Sequence, residues 1–97
     1  MDNYMVETNR EELTSIREKL NWLQGDDDSI QRLQHLMYDA RYVAMETDQD
    51  NLYNQINHTI QMYLVPLLTQ KHKLSVREML WNSAINVFRL DLDSYLK

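Results

Sequence analysis

"NREELTSIREKLNWL", residues 9–23, places Leu13, Ile16, Leu20 and Leu23 at alternating spacings of three and four. At about 100 degrees per residue these four side chains form one stripe along an α-helix, and that stripe needs another element to cover it. Thr8 and Glu11 fit a capping box at the start of this helix, and the residues from Asn3 onward can extend it. Gly25, the only glycine, sits where a left-handed residue would satisfy the helix's last carbonyls.

The helical period recurs downstream. "DDDS", Asp26 to Ser29, reads as a turn whose last members cap a second helix over about 30–46, with Leu33, Leu36 or Met37, Ala40 and Val43 or Ala44 facing inward. Leu52, Ile56, Ile60 and Tyr63 or Leu64 then lie about 140 degrees off that face, so the chain breaks or its buried side rotates. "TDQD", Thr47 to Asp50, carries a second capping signature, which favours a break near 46–50 and a third helix over about 48–64 against one long helix from 30 to 64. Pro66 lacks an amide donor and biases Val65 away from helix, so a boundary or kink is expected there.

Ser75 and Glu78 form a further capping box, flanked by Leu74 and Met79 at the positions of a hydrophobic staple. They predict a fourth helix over about 76–90 with Val76, Leu80, Ala84, Val87 or Phe88 inward, and Leu92 extending the stripe. In "RLDLDSYLK", Leu90 and Leu92 alternate with Asp91 and Asp93, which suggests a frayed or extended tail. Short connections make consecutive helices antiparallel neighbours. The expected fold is all-α: an antiparallel, up-and-down four-helix bundle in one domain spanning 1–97.

Composition narrows the chemistry. The chain has 97 residues, of which 43% are hydrophobic and 26% charged, with one Gly and one Pro, as a helical globular domain requires. Without Cys there is no disulfide, thiolate metal site or cysteine nucleophile. "MDNYMVETNREEL" lacks the basic and apolar regions of a secretory signal, and no window is apolar enough to span a bilayer, so the expected location is cytoplasmic.

His35, His58 and His72 are scattered, and His35 with Asp39 offers at most two metal ligands; "DDDS" lacks the alternation, Gly and distal Glu of a calcium loop. No phosphate-binding glycine loop or acid–base constellation is present, and the expectation is a protein that is not an enzyme and uses no cofactor. Met37, Met45, Met62 and Met79 fall at helical spacing and are expected to fill the core rather than a binding surface.

The formal charge is −5, distributed unevenly: residues 1–65 carry a balance of −7 and residues 66–97 a balance of +2. The basic residues cluster in "TQKHKLSVREMLW", Thr69 to Trp81, where Lys71, His72, Lys73 and Arg77 flank a helix start. Amides and dipole at such a start attract phosphate, so a small DNA-binding regulator is one alternative. The following helix offers only Asn82, Ser83, Asn86 and Arg89 to read bases, and the acidic chain disfavours nucleic acid. Another alternative is an oligomeric adaptor or phage-type inhibitor of a host protein, with Leu13 to Leu23 as a coiled-coil seam; either a monomer or a homodimer fits.

The order of elements adds a specific expectation. "EELTSIREKLNWL" in the first helix, a "D..S" cap before the second, "L..QIN..I" in the third and "LS" before the fourth resemble the cytosolic immunity proteins of pediocin-like bacteriocins. Leu52, Ile56, Asn57, Ile60, Leu74, Ser75 and Ile85 carry the match. The resemblance implies a four-helix bundle that protects the producing cell by binding, from the cytosol, a mannose-type permease occupied by the bacteriocin. It also implies a contact surface in the C-terminal half: the turn Lys71 to Arg77, the outward face of the fourth helix and the tail, hence Lys71, His72, Lys73, Arg77, Arg89, Tyr95 and Lys97.

Overall fold

A computed structural model describes residues 3–24 and 26–96 and is an antiparallel four-helix bundle. Helix α1 (Asn3–Lys19) tightens into a 3-10 turn, Leu20–Trp22. Helix α2 is Asp27–Glu46. Helix α3 opens as Asp50–Thr59, passes through a π-helical turn, Ile60–Leu64, and ends as Val65–Thr69. Helix α4 is Leu74–Leu96. Each helix packs on the next, and α4 closes the bundle against α1.

The core matches the stripes: Leu13, Ile16 and Leu20 from α1 meet Leu33, Met37, Ala40 and Ala44 from α2, Leu52, Ile56, Ile60 and Leu64 from α3, and Ala84, Phe88 and Leu92 from α4. Helix α1 starts at Asn3, so Thr8 lies inside it rather than at its cap. Gly25 lies outside the described residues. The cap of α2 is Asp26, the first acid of "DDDS", whose carboxylate accepts from the Ser29 amide at 2.7 Å. The helix consequently begins at Asp27, three residues before the expected Ile30.

The break between α2 and α3 is real, but Thr47 does not cap α3. Its hydroxyl turns back, donating to the Val43 carbonyl at 2.8 Å, while Asp48 adopts a left-handed φ of 55°. The amide of Asp48 then donates to Met45 and that of Gln49 to Ala44, a Schellman closure with aspartate where glycine is usual. Spending the hydroxyl on the end of α2 leaves α3 without a side-chain cap, and it starts at Asp50.

Pro66 does not end α3. The wider π turn just before it absorbs the missing amide and the ring's bulk, and the helix continues to Thr69. The turn also corrects phase: Leu52, Ile56, Ile60 and Leu64 recur every four residues, a spacing that drifts around an α-helix. Slower winding over Ile60–Leu64 returns Leu64 and Leu67 to the buried side.

Helix α4 departs most from the sequence pattern. The Lys73 carbonyl accepts from Val76 and Arg77, so Ser75 sits inside the first turn, and Leu74 and Met79 are 72% and 59% exposed rather than stapled together. Val76 and Leu80 are only half-buried. The tail is helical to Leu96: Leu92 is fully buried and Leu90 is 66% exposed, as positions two apart on a helix must differ. Arg17 on α1 holds Asp93 through a two-pronged contact at 2.8 and 3.4 Å, and Arg10 donates to the Leu96 carbonyl. On the α3 side, the Thr59 hydroxyl lies 3.0 Å from the Gln55 carbonyl and 2.6 Å from Asp91 Oδ2. The Thr59 hydroxyl donates to Asp91 and so ties α4 to α3. Burial pushes the Asp91 carboxyl above its ordinary range, against the opposing pull of Thr59 and His58.

Candidate functional site

The starts of α2 and α4 meet at one end of the bundle. At the start of α2, the Ser29 hydroxyl accepts from the Gln24 amide at 3.1 Å and fixes the incoming chain. Hydrogen bonding to Ser29 holds the Asp26 carboxyl below its usual range, as expected for an anion at a helix start. Across from it, the Arg77 guanidinium on α4 reaches the Asp27 carboxylate. Beneath this bridge lies a cleft of about 570 Å³ with Ile30, Leu74 and Trp81 as its apolar walls and Asp26, Asp27 and Glu78 on its rim.

Of the residues expected to bind a partner, Lys71, His72, Lys73 and Arg77 share this end. Lys71 and Lys73 are exposed in the 70–73 connection. His72 is half-buried, with Nε2 2.9 Å from the Pro66 carbonyl; its Nε2–H tautomer thus ties the connection to the end of α3. Arg77 is engaged by Asp27, so it braces the cleft as well as lining it.

Arg89 and Tyr95 do not join this cluster. Arg89 lies twelve residues past Arg77, roughly 18 Å along the helix. Its Nε is buried without a hydrogen-bond partner among the described residues. Tyr95 packs against the core. The tail is therefore part of the bundle rather than a free arm, because Leu92 and the arginines of α1 hold it down. Lys97 lies outside the described residues.

The methionines also redistribute. Met37 is in the core, but Met45, Met62 and Met79 are more than half exposed, since each falls off its helix's buried stripe. Met45 joins Tyr38, Tyr42 and Tyr53 along a shallow α2–α3 groove, where the Arg41 guanidinium stands 4.9 Å over the Tyr38 ring. Trp22 and Asp27 were not singled out by the sequence. An aromatic residue out of phase with Leu20 and Leu23 is the signal that could have exposed Trp22, whereas Asp27 matters only through a helix fifty residues away.

Among the described residues no three His, Asp or Glu side chains converge to hold a metal ion, and no helix is long and apolar enough to cross a membrane. Compared with known proteins, the chain matches no family model, no curated protein and no solved structure.

Proposed function

We propose that this chain is a non-enzymatic protein-binding bundle that acts by occupying a partner's surface, and that its contact face is the end built from the starts of α2 and α4. The observation that carries this reading is the exposure of Leu74 (72%), which lines a charged-rimmed cleft together with Trp81. A half-buried Trp and an Arg beside an exposed Leu resemble the anchors of protein interfaces. Lys71 and Lys73 supply a basic margin on an acidic chain.

The specific form of this proposal is a cytosolic immunity protein that blocks a permease occupied by a pediocin-like bacteriocin. It rests on the order of helices and on the residues Leu52, Ile56, Asn57, Ile60, Leu74, Ser75 and Ile85. The test is survival of sensitive cells expressing the chain, challenged with a panel of such bacteriocins. Protection that disappears in a Leu74→Asp variant with unchanged melting temperature supports both forms. Survival no better than that of empty-vector cells removes the specific form.

A further inference from the structure

A second groove, of about 480 Å³, shares no residue with the α2–α4 cleft and is lined by Lys19, Trp22, Leu23, Arg32, His35, Leu36 and Asp39. Its indole is the most exposed large apolar side chain among the described residues, at 78%. Its floor is apolar, since Leu36 is buried and Leu23 packs on the core.

Charge gives the groove its direction. Residues 1–65 contain five basic side chains, Arg10, Arg17, Lys19, Arg32 and Arg41. Three are committed inside the fold: Arg10 to the Leu96 carbonyl, Arg17 to Asp93 and Arg41 to Asn57. Neither Lys19 nor Arg32 has a hydrogen bond or ion pair among the described residues, and both stand at this groove. The half of the chain with a balance of −7 thus places two exposed cations around an exposed Trp and an apolar floor, although Arg32 also acts through its charge on Asp26. The His35 imidazole adds an N–H donor in either neutral tautomer, and Asp39 is the one carboxylate among the lining residues.

We infer that this groove docks an acidic segment of a partner protein, with an aromatic or branched aliphatic side chain seated between Trp22 and Leu36 and its flanking carboxylates held by Lys19 and Arg32. An apolar anchor ringed by charge pairs matches the energetics of small interfaces, in which Trp and Arg dominate. The site lies apart from the α2–α4 cleft, so it adds a second contact rather than restating the first.

A displayed library of short random peptides, panned on the full chain, tests the assignment. The expected winners carry Asp or Glu on both sides of an aromatic or aliphatic residue. Titrated against a Trp81→Phe background, they shift the fluorescence of Trp22. Lys19→Glu with Arg32→Glu weakens them at least about tenfold, and Trp22→Ala abolishes binding, while circular dichroism stays unchanged because all three side chains are exposed. Recovery of no binders, of binders without acidic residues, or of binders indifferent to the charge reversal overturns the inference. A homodimer dissociated by Trp22→Ala assigns the groove to a second copy and overturns it, and so does Trp22-dependent binding to phosphatidylserine vesicles.

Discussion

Leu90 and Leu92 distinguish a helical tail from an extended one, because an extended chain puts both on the same side and a helix puts them about 200 degrees apart. Leu92 is fully buried among the core residues, whereas Leu90 is 66% exposed. Truncating Leu92 to Ala removes a buried isobutyl group and leaves a cavity, at a cost of about 2–5 kcal/mol. Leu90→Ala removes mostly solvated surface and should stay within about 0.5 kcal/mol. In a domain of this size each kcal/mol moves the melting temperature by about 4–8 °C, so Leu92→Ala should lower it by roughly 10 °C or more while Leu90→Ala barely moves it. Urea denaturation followed by far-UV circular dichroism, with thermal melts in parallel, measures both. Equal losses for the two variants, or a Leu92→Ala loss below about 1 kcal/mol, would refute the helical tail.

Outcomes at four further positions follow from named contacts. Asp48→Gly should raise stability by up to about 1 kcal/mol by relieving the left-handed backbone, whereas Asp48→Val should lower it by about 1–2 kcal/mol; thermal melts decide both. Arg17→Ala should cost about 1 kcal/mol, held to that modest figure because the Arg17–Asp93 pair is partly exposed, and amide exchange should quicken in the last turns of α4. The two perturbed carboxyls pull the pH profile in opposite directions. Asp91 binds its proton more tightly when folded, so its contribution declines as pH rises from the unfolded carboxylate range through the raised folded value, and Asp91→Asn should be more stable than wild type at neutral pH, with the gap closing in acid. Asp26 is lowered when folded, so its stabilisation is present at neutral pH and lost as pH falls; Asp26→Ala should melt earlier at neutral pH and show a flatter acid limb.

The bundle was legible because Leu13, Ile16 and Leu20, Leu33 to Ala44, and Leu52 to Leu64 repeat with the helical period that their burial demands. The phase slip between Ala44 and Leu52 located the α2–α3 break, although Asp48 rather than a Thr47 cap makes it. What misled was local chemistry with a distant partner. Asp91 and Asp93 look like the solvent side of an alternating tail, yet one meets Thr59 on α3 and the other Arg17 on α1, and those partners let acids sit on half-buried positions. Ser75 and Glu78 have the spacing of a cap, but the Lys73 carbonyl had already started the helix. Pro66 reads as a stop because the π turn that accommodates it has no signature in sequence. At the candidate site, the basic cluster at 71–77 was visible, whereas the absorption of Arg89 and Tyr95 into the bundle follows from docking onto neighbouring helices.

The closure of α4 onto α1 also bears on the order of assembly. Helices α2 and α3 are joined by three residues and can pair as soon as both exist, whereas the Arg10 and Arg17 contacts join positions 86 and 76 residues apart. Closing so long a loop is slow to reward, so the α2–α3 hairpin should form early and α1 should lock only after α4 is laid down. Folding rates should therefore respond to Ile56→Val and hardly to Arg17→Ala, which should instead speed unfolding. A synthesis stalled before α4 would leave the stripe of Leu13, Ile16 and Leu20 half-covered, the state in which this chain is most exposed to aggregation.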